Sequence, residues 1–423
     1  MIMDLLKFCK DLYKIPRSLT GTGVVETLKY IQQIIPLEIK KVKSGTKVFD
    51  WTVPPEWNIR DGYVIEVNTG RKVIDFKSHN LHVLGYSEQI DDEVSFDDLE
   101  KNLYYLKDQP DAIPYITSYY SKRWGFCLSF NDFQKLDRNS RFKVFIDSEF
   151  KDDGDLTYGE LIIKGKVEEE IFFSSYVCHP QMVNNELSGP SVLTGIAESL
   201  LKKDNYYSYR FVLIPETIGS IVYLSEKLDV LKKNVIGGYN ISCVGDERSW
   251  GLVPSRYGNN LSDRIAEHTL KKHYPDFIKY SWLDRGSDER QYCSPGVDLP
   301  ISSITRTKFG EYPEYHTSLD NFDVVTEKGL NDSLLLYLKC VDIFEKNRFY
   351  PKVKVFCEPQ LGKRGLYPDI STKESGNIVR NMMNFISYCD GSNSILEISE
   401  ICGIDFEESF GYYTKMKENG LME

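Results

Sequence analysis

Ile171-Phe172-Phe173-Ser174-Ser175-Tyr176-Val177-Cys178-His179-Pro180, followed by Asn184-Asn185-Glu186-Leu187 and then Ser188-Gly189-Pro190-Ser191-Val192-Leu193-Thr194-Gly195-Ile196-Ala197, decides the fold. The first run is apolar enough for a strand buried on both faces, and Pro180 stops its ladder. The last run reads as a helix packed closely on a sheet, with Ser188 as N-cap and Pro190 in its first turn. Strand, polar loop, helix is the repeating unit of an open parallel sheet, whose ligand sites lie at the carboxyl ends of the strands.

Working outward, the unit recurs. Tyr209-Arg210-Phe211-Val212-Leu213-Ile214-Pro215 is a strand that ends at Glu216-Thr217 before a helix to about Leu231. Val235-Ile236-Gly237-Gly238-Tyr239-Asn240-Ile241 leads to Gly245-Asp246, and Leu299-Pro300-Ile301-Ser302-Ser303-Ile304-Thr305 leads to Tyr312-Pro313-Glu314-Tyr315-His316-Thr317-Ser318-Leu319-Asp320. Each strand thus delivers one residue able to bind or activate something: His179, Glu216, Asp246, His316. The chain holds only six histidines, so two of them in such settings carry weight. Histidine and carboxylate gathered on one rim describe a hydrolytic zinc site, with Thr317 and Asp320 placed to orient His316. Taken singly, each histidine reads equally well as a satisfied core residue.

Several motifs go further. Pro215-Glu216-Thr217-Ile218-Gly219-Ser220, Ser287-Asp288-Glu289-Arg290-Gln291, the His316 motif, and Pro114-Tyr115-Ile116-Thr117-Ser118-Tyr119-Tyr120 with Trp124-Gly125-Phe126-Cys127 span most of the chain. With them the chain resembles the zinc aminopeptidases of the M28 type, and more closely the bacterial aminopeptidase-like proteins with a domain of unknown function. The resemblance implies a zinc-exopeptidase-like α/β core with a mostly parallel mixed sheet and helices on both faces. It implies a zinc-dependent hydrolase acting on peptide or amide bonds next to a free amine. Glu216 would be its general base, and His179, Asp246, His316 and the position of Asn185 its metal ligands. Asp288, Glu289, Arg290, Arg256 and Tyr312 would contact substrate.

Departures from the family pattern fall on the metal site. A bridging aspartate is replaced by Asn185, and the second glutamate of a Glu-Glu pair by Thr217, which then stands beside the site rather than in it. Two-metal hydrolysis needs a bridging anion, so one firmly held zinc is the expectation and the second ion is left without support. An impaired homologue that binds a small amine-, sugar- or peptide-like ligand is the alternative.

Domain organisation is expected as a core over 1–57 and 156–349, a β-rich insert over 58–155, and a linker with a small helical domain over 350–423. The insert's His79 and His82 read first as surface histidines. The tail's three helical runs, Asn377–Tyr388, Ser394–Gly403 and Phe406–Asn419, resemble a winged-helix unit. Residues 373–423 carry four basic and nine acidic side chains, a net of −5. That sign opposes phosphate binding, so a protein partner or self-association is expected there, and a DNA-binding regulator ranks last.

Composition sets the remaining bounds. Hydrophobic residues make up 41% and charged ones 27%, ordinary for a folded chain. A net charge of −11 argues against nucleic acid or anionic membrane as partners. Nine cysteines without a metal-finger or disulfide spacing, and no apolar run long enough to span a bilayer, fit a reducing cytoplasm.

Overall fold

The computed structural model describes residues 3–119, 121–366 and 373–423. Met1-Ile2, Tyr120 of the insert motif and the Tyr367-Pro368 end of the linker lie outside them. The chain divides into two units, one of residues 1–266 with 276–335 and one of residues 267–275 with 336–423.

The first unit is built on an eight-stranded mixed sheet in the order Glu38–Lys43, Asp155–Ile163, Ser208–Ile214, Glu170–Tyr176, Val235–Asn240, Ile301–Thr305, Gly251–Val253, Ile278–Lys279. The central four strands run parallel, and antiparallel pairs flank them on both sides. Every residue of Glu170–Tyr176 and of Ser208–Ile214 is buried, as the unbroken apolar runs require of parallel strands covered on both faces. The sheet and the helices packed on it make the mixed α/β architecture expected from the sequence.

Strand order fixes where a ligand can sit. From Glu170–Tyr176 the chain moves to its neighbour on one side, Ser208–Ile214, and then crosses to Val235–Asn240 on the other. The reversal opens a crevice beyond the carboxyl end of Glu170–Tyr176, which is where such sheets bind ligands. His179 follows that end directly.

The helix Ser188–Leu200 starts at Ser188 itself and not one residue later, as an N-cap would require. A π-helical turn, Val183–Leu187, feeds into it. The Ser188 hydroxyl is therefore not a cap: it donates to the Asn184 carbonyl and accepts from the Val244 N–H. Gly189 lets this helix press on the sheet, since a Cβ there would lie 2.4 Å from both the Ile241 carbonyl oxygen and Ser175 Oγ.

Charges buried inside the sheet are paired. Arg210 spans two strands, holding Glu170 at 2.5 Å and Glu160 at 2.6 Å, with the Tyr223 hydroxyl beside them. Between the first two core strands in sequence lies a four-stranded antiparallel sheet in the order Arg71–Asp75, Glu56–Glu66, Arg141–Lys151, Ile90–Ser95. Its first two strands form a hairpin around Asn68-Thr69-Gly70.

The second unit carries the helices Lys373–Ser387, Ile395–Cys402 and Phe406–Glu418. Ser394 and Glu397 form a capping box, and Gly403 closes the same helix in the left-handed region. Two short antiparallel bridges, Lys352 with Asp390 and Val353 with Met422, complete a winged-helix pattern.

Gly189→Ala should destabilise the chain by about 1–3 kcal/mol, the range for overpacking a filled core. A lowered urea midpoint with unchanged slope is the expected result; an unchanged midpoint would show that helix and sheet can part without cost.

Candidate active site

The rim of the sheet brings three of the expected residues together. His179 Nε2 lies 3.7 Å from a Glu216 carboxylate oxygen. The His179 and His316 rings stand 5.4 Å apart, centre to centre, about the spacing of two imidazoles sharing one tetrahedral ion with Zn–N near 2 Å. Tyr115, from the insert, packs edge-to-face with both, its ring centre 5.2 Å from each of theirs.

Local backbone explains how each arrives. Past its strand, His179 is gripped by the buried Glu186, whose carboxylate accepts from the His179 N–H at 3.0 Å and faces Nδ1 at 3.1 Å. A carboxylate on Nδ1 holds the proton there and turns Nε2 to the cavity. Burial opposes the charged ring, but Cys178, Glu186 and Glu216 together raise its pKa well above the ordinary value, so a metal at Nε2 would displace a proton. Behind Glu186 stands Arg17, buried, 3.2 Å away, with its Nε donating to the His179 carbonyl.

Glu216 is aimed by a tight turn. Thr217 has φ 64 and ψ −74, and the Ile218 N–H bonds the Glu216 carbonyl at 2.8 Å, a γ-turn of the strained hand. A β-branched residue there is a real outlier. Asp288 offsets part of the strain by accepting from the Thr217 N–H and the Ser220 hydroxyl, each at 2.8 Å. Gln181, Cys243 and His316 also have positive φ, so strained backbone gathers at the site.

His316 stacks on Tyr315 with ring centres 3.9 Å apart, and its Nε2 is buried with no partner. Burial, then the neighbouring His179, push its pKa down to about 3, so the ring is a neutral donor of a lone pair. Its loop is stitched to the insert: Tyr115 N–H donates to the His316 carbonyl, and Ile113 and Ser318 bond each other twice. Burial also raises the pKa of Glu216, against the pull of His179 and Arg290.

Other expected residues stand elsewhere. The Asp246 carboxylate is saturated by Asn184 Nδ2, Thr307 N–H, Thr307 Oγ1 and Arg248 N–H at 2.7–3.1 Å. It braces its own loop and has no lone pair to spare for the histidines. Glu289 is likewise consumed, by Gly286, Ser287, Asn240 and Ser303. Arg256 pairs with Asp298 and covers the Tyr257 ring, and the Tyr312 hydroxyl donates to Asp320. Thr317 closes its own turn by donating to the Glu314 carbonyl. Asp320 does not touch the His316 ring: its carboxylate accepts the N–H groups of Val183, Asn184 and Asn185.

Asn185 donates to the Tyr176 hydroxyl at 2.9 Å, while its Oδ1 is buried without a partner. Tyr176 in turn packs on His179. His179 and the unpartnered Nε2 of His316 are donors that fit one divalent ion; Asn185 Oδ1 is also unpartnered, but Asn185 does not line the cavity that the two histidines share. With Asp246 occupied and Asn185 neutral, they do not fit two.

A cavity of 360 Å³ opens over this group. Leu19, Trp51, Tyr115, Tyr119 and Ile218 make an apolar wall, and Thr217 and Arg290 lie beside Glu216. In the sequence the Tyr115–Tyr119 motif speaks only for the family resemblance. Sequence reasoning misses Arg17, Glu186 and Trp51 altogether; the acidic neighbour of Asn185 is the one available signal, and nothing in the local pattern marks Arg17 or Trp51.

A parallel sheet with this rim defines the aminopeptidase-like fold. The zinc aminopeptidase of Bacillus subtilis shares it with a TM-score of 0.57 at 12% identity, over 81% of this chain and 94% of that chain. The chain belongs to the family described as domain of unknown function DUF4910, which its residues 6–347 match, and residues 348–423 match a winged helix-turn-helix. A crystal structure of a "putative peptidase" from Clostridium acetobutylicum is similar throughout, with a TM-score of 0.92 at 41% identity over 99% of this chain and 95% of that chain. A protein of the same organism, named "Putative polysaccharide biosynthesis protein with aminopeptidase-like domain", is 43% identical over 404 residues, 95% of this chain and 92% of its own length.

Arg17→Met should cost about 3–5 kcal/mol, because it leaves Glu186 charged and buried. Adding Glu186→Met should return part of that loss in thermal unfolding; a double variant less stable than the single would show that the pair is not coupled.

Proposed function

We propose that the chain is a one-metal amide hydrolase of the aminopeptidase-like class. The observation that carries this is the convergence of His179, His316 and Glu216 on one small cavity, with His316 Nε2 buried and unpartnered. His179 and His316 would hold zinc, which supplies polarisation of the scissile carbonyl and a lowered pKa for water.

The chain's own groups do the rest. Glu216, its carboxyl made more basic by burial, takes a proton from the attacking water. The water's oxygen joins the acyl carbon, the C–N bond breaks, and Glu216 returns the proton to the leaving nitrogen. Glu186 holds the His179 tautomer, and Tyr115 and Tyr119 keep bulk water from the cavity. The name of the Clostridium relative suggests sugar-borne amides among the substrates to assay.

A second reading, a ligand-binding homologue without turnover, is favoured by the occupied Asp246 and the neutral Asn185. The acidic winged-helix unit is read as a contact for a protein or a second copy of the chain. All nine cysteines are free, in keeping with the cytoplasm, and among the described residues no helix is long and apolar enough to cross a membrane.

Chain purified without chelator should carry at most one zinc by elemental analysis. Glu216→Gln should keep that metal and lose about 10²–10⁴-fold in turnover of amino-acid anilides or N-acyl amino sugars. Equal turnover in the variant would end the hydrolase reading, and bound metal with no turnover in either form would favour the binder. Asn185→Asp should tighten zinc at least tenfold in a competition titration against a chromophoric chelator; an unchanged affinity removes Asn185 from the site.

A further inference from the structure

The substrate end that the cavity holds can be read from its charges. An aminopeptidase must offer the free ammonium a carboxylate, and here neither of the two expected to do so lines the cavity. Glu289 is filled by four donors. Asp288 is buried behind the Glu216 turn, bonded through one oxygen to Thr217 and Ser220; its other oxygen is unpartnered, but the residue does not line the cavity. Among the described residues Glu216 is the only carboxylate lining the cavity, and an ammonium paired to it would occupy the proton acceptor that the chemistry needs.

The cavity does present an arginine. Arg290 lines it beside Glu216; its guanidinium bonds the Thr217 hydroxyl, and its Nε is buried without a partner. A buried N–H on a guanidinium is a donor in search of an acceptor, and the planar fork of arginine suits a carboxylate better than any other small anion save phosphate. The rest of the wall, with Leu19, Ile218 and Tyr115, offers no charged group and fits an apolar side chain. Trp51 and Tyr119, both left 37–39% exposed, add aromatic faces to that wall.

The geometry points to a small amide that bears a free carboxylate and an apolar side chain, an N-acyl amino acid or the carboxyl end of a dipeptide, held by Arg290. This rests on the cavity's being the amide-hydrolase site proposed above, and it reverses which end of the substrate is recognised. Arg290 is then a substrate-binding residue, and the Thr217 turn that aims Glu216 also sets the height of the guanidinium. One strained residue thereby fixes the distance between the proton acceptor and the anion holder.

Calorimetric titration of the full chain with N-acetyl-leucine, N-acetyl-leucinamide and leucinamide tests this. N-acetyl-leucine should bind at least tenfold tighter than its neutral amide and than the amine. Arg290→Gln should level the three. The wild-type ranking stands on its own should that variant fail to fold. Leucinamide binding tightest, no preference among the three, no binding of any, or a carboxylate preference that survives Arg290→Gln would overturn the assignment. Carboxylate-selective binding with no release of leucine would sink the hydrolase reading and leave this one standing; turnover of leucine anilide without carboxylate preference would do the reverse.

Discussion

A single buried carboxylate ties the site together. Asp320 accepts three successive backbone N–H groups, from Val183, Asn184 and Asn185, together with the Tyr312 hydroxyl. Those N–H groups open the π-helical turn ahead of the Ser188–Leu200 helix, where intrahelical partners are lacking. By satisfying them, Asp320 binds the loop after one strand to the loop after another, far apart in sequence. His179 and His316 face each other because this tie leaves their loops no other register. Burial raises the Asp320 carboxyl to about 6 even so, a sign of how thoroughly the knot is closed to water.

Much of this could be seen in the amino-acid string. Unbroken apolar runs at Ile171–Val177 and Tyr209–Ile214 told of strands covered on both faces, and Pro180 and Pro215 told where they stop. The rim positions followed, because a parallel sheet puts the ends of its strands on one side. What periodicity cannot supply is the direction of a side chain in an irregular loop. Asp246 sits after the right strand, yet its loop turns the carboxylate into Thr307 and Arg248. Glu289 and Arg256, which the resemblance places at the substrate, each have a partner within the fold. Short polar stretches carry several hydrogen-bonding options, and only packing selects among them.

Arg17 is the clearest case of what stays hidden. It lies in the first turn-rich segment, among residues with no pattern, and reaches Glu186 across 169 positions of chain. A buried guanidinium has to be matched by a buried acid, but sequence gives no address for the match. The same holds for Trp51, in a two-stranded ribbon, and for Tyr115, in a loop, neither of which any periodicity assigns to the site.

The stitching of the insert to the His316 loop bears on how such a protein can change over time. Tyr115, Ile113 and Ser318 exchange main-chain bonds across the boundary between the interrupting segment and the sheet it interrupts. Excising that segment would strand the His316 carbonyl and uncover a loop held in left-handed backbone. What looks in the gene like a removable cassette is, in energetic terms, part of the same cooperative body, and descendants of this fold are free to vary its outer hairpins far more readily than to shed it.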